Sequence, residues 1–342
     1  MARKTDGEKV SNPAVKLLEK KYGPGIVHIG PKTLDVPIIP FGIPQIDNDV
    51  LGIGGLPRGR ITEIYGEEAG GKTVMALRVV AQAQRMGEQC AFLDLEYALD
   101  MSWAAKNGVD VEKLTYSQPD YGEQAFDIAS VFIQNGYGVV VIDSVSALVP
   151  LESASDSFVV YKKDKETGER TLTPSVSRPG SLARMMSGSL PKLAQTVAKS
   201  NSILIFINQE RKKIGVRFGN PNTTSGGVAL GYFASVRLDV SRIGRDTEKD
   251  KGGNIVGHKI RVYCAKNKLS SPFNQAECVL HYGASAATPK GDLDIAIEKG
   301  LVVRKGKRGL YTVLLSGEKV RGISGFEKYL EEHPDFKKKI LE

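Results

Sequence analysis

The segment Gly66-Glu67-Glu68-Ala69-Gly70-Gly71-Lys72-Thr73 constrains this chain more than any other stretch. It fits the spacing G-x-x-x-x-G-K-[ST], follows the apolar run 61–65, and opens the helical pattern 74–85 that begins at Val74. Strand, glycine-rich loop and helix in that order gather backbone N–H groups and a helix N-terminus around one point, an arrangement for holding phosphate oxygens. Lys72 is then expected to reach the outer phosphates and Thr73 to ligate Mg²⁺. A chance glycine turn has no reason to carry this strand before it and this helix after it.

A nucleoside triphosphate site needs a further acid, and the apolar strand 139–143 ends on Asp143. There Asp143 is the Walker B candidate, holding Mg²⁺ through water; taken alone, it could equally cap the next helix. Glu96 ends the strand 89–96 and is the best placed carboxylate to orient a water against the γ-phosphate. Asp94 competes from the same face of that strand, and position at the strand end favours Glu96. Gln209 closes the run 203–209, where its amide either bonds the γ-phosphate and reports it to the following loop, or satisfies local backbone. In a doubly wound sheet these strand ends converge on one crevice.

Around these motifs, short apolar runs at 61–65, 89–96, 139–143, 203–209, 236–240 and 259–265 alternate with helical segments. That alternation predicts an α/β fold with a mainly parallel central sheet, the later, closely spaced strands pairing antiparallel. Before it, residues 10–22 form an amphipathic helix stopped by Gly23-Pro24-Gly25, with an apolar face too small for a domain and suited to docking on another subunit. The predicted organisation is 1–33 as this helix and linker, 34–287 as the core, and 288–342 as a small basic α+β domain with a strand at 310–315 and a helix from about 325.

Composition removes other classes. The 342 residues carry 41% apolar and 25% charged side chains, as globular domains do, and no apolar run suits a membrane span or a secretory leader. Cys90, Cys264 and Cys278 have neither the number nor the spacing for a disulfide framework or a zinc site, so a reduced, cytoplasmic setting is expected. The net charge of +8 is compatible with a polyanionic partner without establishing one.

Two stretches look like loops that order on binding. Residues 151–180 are polar, charged and too long for a plain connection. The second, 210–227, contains Arg211, Lys213, Ile214, Gly215, Val216, Arg217, Phe218 and Asn220 and closes on Ser225, Gly226 and Gly227. Cations, apolar wedges and a glycine-flanked aromatic suit phosphate contact and insertion between bases. Trp103, the single tryptophan, either stacks on a base or fills core.

With these residues in view, the chain resembles the RecA-type homologous recombinases from about residue 40 onward. The resemblance is carried in order by Gly54-Gly55-Leu56-Pro57-Arg58-Gly59-Arg60, the run from Ala91 to Asp100, Gln118 to Gln124, Ala183-Arg184-Met185-Met186-Ser187, Phe206-Ile207-Asn208-Gln209, Lys213 to Val216, Phe218 to Pro221, Ala234 to Asp239 and Lys266-Asn267-Lys268. It implies a RecA-like P-loop ATPase using ATP and Mg²⁺, filamentous on single-stranded DNA, that pairs this strand with homologous duplex and exchanges strands. Roles in recombination, repair and the SOS response to DNA damage follow, as do single-stranded-DNA-binding and loader partners.

The same resemblance makes Glu96 the hydrolytic base and Gln209 the γ-phosphate sensor. Arg184, Met185 and Ser187 join residues 151–187, and Arg211 to Gly227 the second loop, as DNA contacts. Asp100 and Trp103 fall where the family contacts adenine, tryptophan replacing the usual tyrosine; Tyr282 falls where it also approaches nucleotide. Lys266 and Lys268 match lysines that reach ATP held by the neighbouring subunit, a role their sequence context alone would have given to an exposed turn.

Several features depart from the family. The first loop is longer and more charged, Pro191 is expected to kink its helix or start a new one, and the chain ends in Lys337-Lys338-Lys339-Ile340-Leu341-Glu342 in place of an acidic tail, so less self-inhibition of duplex binding is expected. The rival readings are a ring helicase on the same ATPase core and an ATP-gated DNA-binding regulator. The former has no need of the long basic loop, and the latter no need of Glu96.

Overall fold

A computed structural model describes residues 12–24, 26–27, 36–153, 159–163, 170–174, 180–212, 222–249, 255–281, 296–297, 299–305 and 310–341. Its contacts separate two units, Met1–Pro37 and Ile38–Glu342. The expected boundaries at 33/34 and 287/288 lie outside the described residues.

In the first unit α1 (Pro13–Tyr22) starts with Pro13 at its first turn and is capped by Asn12, whose side chain accepts the Ala14 N–H at 2.9 Å. Gly23, at φ 100, ends it, and none of its residues is buried.

The second unit is built on strands β1 (Ile38–Ile39), β2 (Leu56–Pro57), β3 (Arg60–Gly66), β4 (Cys90–Asp94), β5 (Leu114–Ser117), β6 (Val139–Asp143), β7 (Val159–Lys163), β8 (Arg170–Pro174), β9 (Ile203–Lys212), β10 (Asn222–Thr224), β11 (Val236–Lys249), β12 (Ile255–Asn267), β13 (Gln275–His281), β14 (Val302–Lys305), β15 (Leu310–Val313) and β16 (Lys319–Arg321). Its helices are α2 (Lys72–Arg85), α3 (Met101–Lys106), α4 (Gly122–Gln134), α5 (Ser181–Lys199), α6 (Ala229–Phe233), α7 (Gly322–Glu332) and α8 (Pro334–Leu341).

The central sheet runs β13-β12-β11-β3-β9-β6-β4-β5, with β10 paired to β9. From β11 to β5 neighbouring strands are parallel, whereas β11, β12 and β13 pair antiparallel, as their close spacing predicts. Strands buried on both faces need near-continuous apolar sequence, and β6, Val-Val-Val-Ile-Asp, is buried at every position. One face packs Ile64, Val141, Ile205 and Leu238 with Met75, Leu77 and Val79 of α2. The other packs Val140, Ile142, Leu204 and Phe206 with Phe126 of α4 and Leu190 and Leu193 of α5.

Two elements differ from expectation. Pro191 lies inside α5, which continues through it as one helix; the proline gives up only the bond it would have donated to Ser187 O. Within 151–180, β7 and β8 form a separate antiparallel hairpin, from Val159 opposite Pro174 to Lys163 opposite Arg170. Residues 302–305 and 310–341 contribute the three-stranded sheet β14-β15-β16 and two helices, packed around Val302, Val313, Phe326, Tyr329 and Phe336.

Candidate nucleotide and DNA site

The phosphate loop begins where β3 stops, and its first glycine is required. Gly66 has φ 149, and a Cβ there would lie 2.1 Å from Val240 O on the adjoining β11. Gly71, at φ 94, caps α2; a Cβ at that position would meet Leu280 Cδ2 at 2.6 Å. The chain can therefore turn into α2 with its first N–H groups facing one concavity.

Lys72 is buried, and its Nζ donates to Glu67 O at 2.6 Å, curling over the loop. Burial lowers its pKa, against the opposing pull of Asp143, Glu96 and Glu68. An ammonium has three donors, so two remain for phosphate oxygens. Thr73 Oγ1 donates to Asp143 Oδ2 at 2.8 Å, joining the loop to the end of β6. Burial pushes the Asp143 carboxyl up to about 7; Glu96 and Asp94 add to the rise, while the Thr73 hydrogen bond and Lys72 oppose it. A hydroxyl beside a carboxylate is a hard oxygen pair of the kind Mg²⁺ shares with phosphates and water, so these residues fit that ion.

Glu96 is exposed at the end of β4 and accepts two hydrogen bonds on Oε1, one from Ser144 Oγ and one from Gln209 Nε2 at 3.4 Å. Ser144 and Ser146 are joined at 2.6 Å, and the Asp143–Ser144 peptide is cis. Asp94, by contrast, is 2% exposed and accepts from Glu96 N, Ala98 N, Leu99 N and Tyr116 Oη at 2.8–3.1 Å. Its oxygens are committed to shaping the turn after β4, so of these two carboxylates it is Glu96 that lines the cavity.

That cavity, of about 330 Å³, is lined by Glu68, Ala69, Gly70 and Val74 of the loop and helix, by Lys72 and Thr73, and by Glu96, Trp103, Asp143 and Gln209. Trp103 lines the cavity and packs its ring against the core around α2. Asp100 stands behind it as the N-cap of α3, accepting the Trp103 N–H at 2.8 Å. Sequence reasoning missed Ser144, which bonds Glu96, and three residues that line the cavity, Ile207, His258 and Leu280. For His258 a signal existed: alternation along β12 puts it on the buried face with Ile260, Val262 and Cys264. Burial, and secondarily Arg242, lowers its pKa.

Lys266 and Lys268 do not line this cavity. Lys266 Nζ donates to Gly231 O at 2.7 Å and Tyr232 O at 3.0 Å, and Lys268 Nζ reaches Tyr232 O at 3.5 Å, so both cations sit on carbonyls of the short α6.

At the expected DNA surface, Arg184 is exposed and pairs with Glu152 at 3.1 Å, and Ser187 Oγ donates back to Ala183 O at 2.8 Å. Met185 differs from expectation: it is 8% exposed, with its sulfur against Gly122, because this position of α5 faces α4. It supports the surface from below. The second loop leaves β9 with Arg211 opposite Thr223 and Glu210 opposite Thr224, and Arg211 Nε donates to Ser225 Oγ at 3.4 Å. Gly226 and Gly227, at φ 83 and 77, close onto Val145 and Ala183, where a Cβ would fall at 2.9 and 3.0 Å from those side chains. Lys213, Ile214, Gly215, Val216, Arg217, Phe218, Asn220 and Tyr282 lie outside the described residues.

A P-loop between β3 and α2, facing acids at the ends of β4 and β6 in a mainly parallel sheet, defines a nucleotide-binding protein of the RecA-like α/β class. Residues 9–287 match the family model described as RecA N-terminal domain. The protein RecA of Bordetella petrii is 42% identical over 326 residues, covering 94% of this chain and 85% of its own length. Those of Nitrobacter winogradskyi and Rhodopseudomonas palustris are 41% and 40% identical over 339 residues, covering 98% of this chain and 87% and 90% of theirs. The chain belongs to the RecA family.

Proposed function

We propose that this RecA-family chain is an ATP-dependent homologous recombinase that assembles as a helical filament on single-stranded DNA, pairs it with homologous duplex and exchanges strands, in DNA recombination and repair. The observation that carries the reading is the position of Gln209. It touches the carboxylate best placed to activate water and is also the residue from which the basic loop departs.

In this reading residues 66–74 hold the ATP phosphates, Thr73 and Asp143 hold Mg²⁺, and Trp103, positioned by Asp100, stacks on adenine, with Tyr282 nearby. Bound Mg²⁺ neutralises phosphate charge. Glu96 accepts a proton from the attacking water, Gln209 bonds the γ-phosphate, and Lys266 and Lys268 stabilise the transferred phosphoryl group on a neighbouring protomer. The surface at Arg184 and Ser187, with residues 211–227, contacts DNA. The N-terminal helix docks protomers, 288–342 forms a small basic domain, and single-stranded-DNA-binding and loader proteins assist in the cytoplasm. Among the described residues no helix is long and apolar enough to cross a membrane.

Electron microscopy of the protein on single-stranded DNA with a slowly hydrolysed ATP analogue and Mg²⁺ tests the reading. Continuous helical filaments are expected. Closed rings would replace it with a helicase, and bare DNA with a regulator that needs a partner.

A further inference from the structure

Glu63 has no part in the chemistry above, yet its side chain is fully buried in the middle of β3, a position that ordinarily takes an apolar residue. Alternation puts it with Tyr65 on the α4 and α5 face of the sheet, where a carboxylate survives only if its oxygens are paired. Both are. Oε1 accepts Asn208 Nδ2 at 2.8 Å, and Oε2 accepts Nε of Arg237, its neighbour across the β3–β11 pair, at 2.5 Å. The Arg237 guanidinium then lies over the Tyr65 ring, 4.7 Å from its centre.

Asn208 is equally committed and fully buried. Its Nδ2 also donates to Ser225 O at 3.0 Å, and its Oδ1 accepts the Gln209 N–H at 2.9 Å. One side-chain amide thus grips the chain where the segment 210–227 leaves the sheet and again where it returns. Glu63 holds that amide in place. Only a carboxylate accepts from both Asn208 and Arg237; a glutamine here would turn its own NH₂ toward one of these donors.

We propose that Glu63 and Asn208 are positioning residues that tie the root of loop 210–227 to Gln209, so that nucleotide in the cavity and DNA on the loop are bound with shared free energy. Neither residue touches ATP or DNA. Their contribution is to make the two affinities depend on each other. The inference rests on the reading of 210–227 as a DNA loop.

The test uses the full chain with Asn208→Ser and Glu63→Gln. Three quantities are read: the melting temperature, the affinity for a fluorescent ATP analogue without DNA, and the affinity for a single-stranded oligonucleotide with and without a slowly hydrolysed ATP analogue. The ratio of the last two measures coupling, which in linked sites spans about 5–150-fold. Both variants are expected to bind nucleotide within about twofold of the parent while the ratio collapses toward one. An unchanged ratio in Asn208→Ser would overturn the proposal, and so would a loss of nucleotide affinity as large as the loss of coupling. If Glu63→Gln fails to fold, Asn208→Ser alone decides, since its hydroxyl spares the buried carboxylate from facing an apolar replacement. The unsubstituted protein is the control for the parent reading: DNA binding indifferent to nucleotide there would overturn the DNA-loop reading itself.

Discussion

Gln209 donates its side-chain amide to Glu96 across 3.4 Å, linking β9 to the turn after β4 in the wall of the nucleotide cavity. The same carboxylate oxygen accepts from Ser144, so Glu96 is held by two donors from two other strand ends. Such a carboxylate is held in one direction, as a general base must be.

Glu96→Gln is therefore expected to slow hydrolysis by about 10²–10⁴-fold, the range for loss of a general base. Equilibrium binding of an ATP analogue should stay near the parent value, because Glu96 holds no phosphate. Single-turnover hydrolysis beside a binding titration checks the separation; an equal fall in both would make Glu96 a binding residue.

Asp143 gives a prediction for pH. Its carboxyl titrates near 7 in the protein, above an unfolded value near 3.8. The protonated form is thus favoured on folding, and the associated stability, present below about pH 4, is lost as pH rises through 7. If Asp143 holds Mg²⁺ with nucleotide as proposed, it does so as the carboxylate, so binding near pH 6.5 should release a proton and tighten as pH rises toward 7.5. Calorimetry in two buffers of different ionisation enthalpy measures that proton, and Asp143→Asn should abolish its release.

Because Lys266 lies away from its own chain's cavity, a mixing experiment is decisive for its action on a neighbour. Lys72→Ala and Lys266→Ala should each be inactive alone. Mixed in equal amounts, about one interface in four joins an intact P-loop to an intact Lys266, and ATPase should return to roughly that fraction. A mixture as inactive as its components would confine Lys266 to its contacts with Gly231 and Tyr232.

Glycine substitutions separate backbone strain from crowding. At Gly180 (φ 78) nothing lies within 4 Å of a Cβ, whereas at Gly226 (φ 83) Val145 Cγ1 would be 2.9 Å away. Gly180→Ala should cost about 1–2 kcal/mol of stability from the left-handed backbone alone. Gly226→Ala should cost at least about 1 kcal/mol more from overpacking, read as a larger fall in denaturation midpoint.

The residues legible in the sequence are those whose meaning is local. The P-loop, Asp143 at the end of an apolar strand and Glu96 at the end of another need only spacing and burial pattern, and the structure brings them to one cavity. What was not legible depends on neighbours across the sheet. Nothing in the order of residues says that Glu63 meets Asn208, 145 positions away, or that His258 faces the P-loop. Met185 directly follows the exposed Arg184, and the packing of α5 on α4 turns it inward. The hairpin of β7 and β8 went unread because its charged, polar composition hid a short alternation of Val, Tyr, Leu and Thr.

Gly226 and Gly227 rest on Val145, Met186 and Ala183, so the end of the second loop is seated on the first turn of the helix that follows the first. The two segments share one footing. A substitution that thickens Ala183 must be answered by a shift at Gly227, and the reverse, which makes these positions a lineage can change only together. Any attempt to retune one segment by grafting it from a relative should carry the matching first turn of α5 with it.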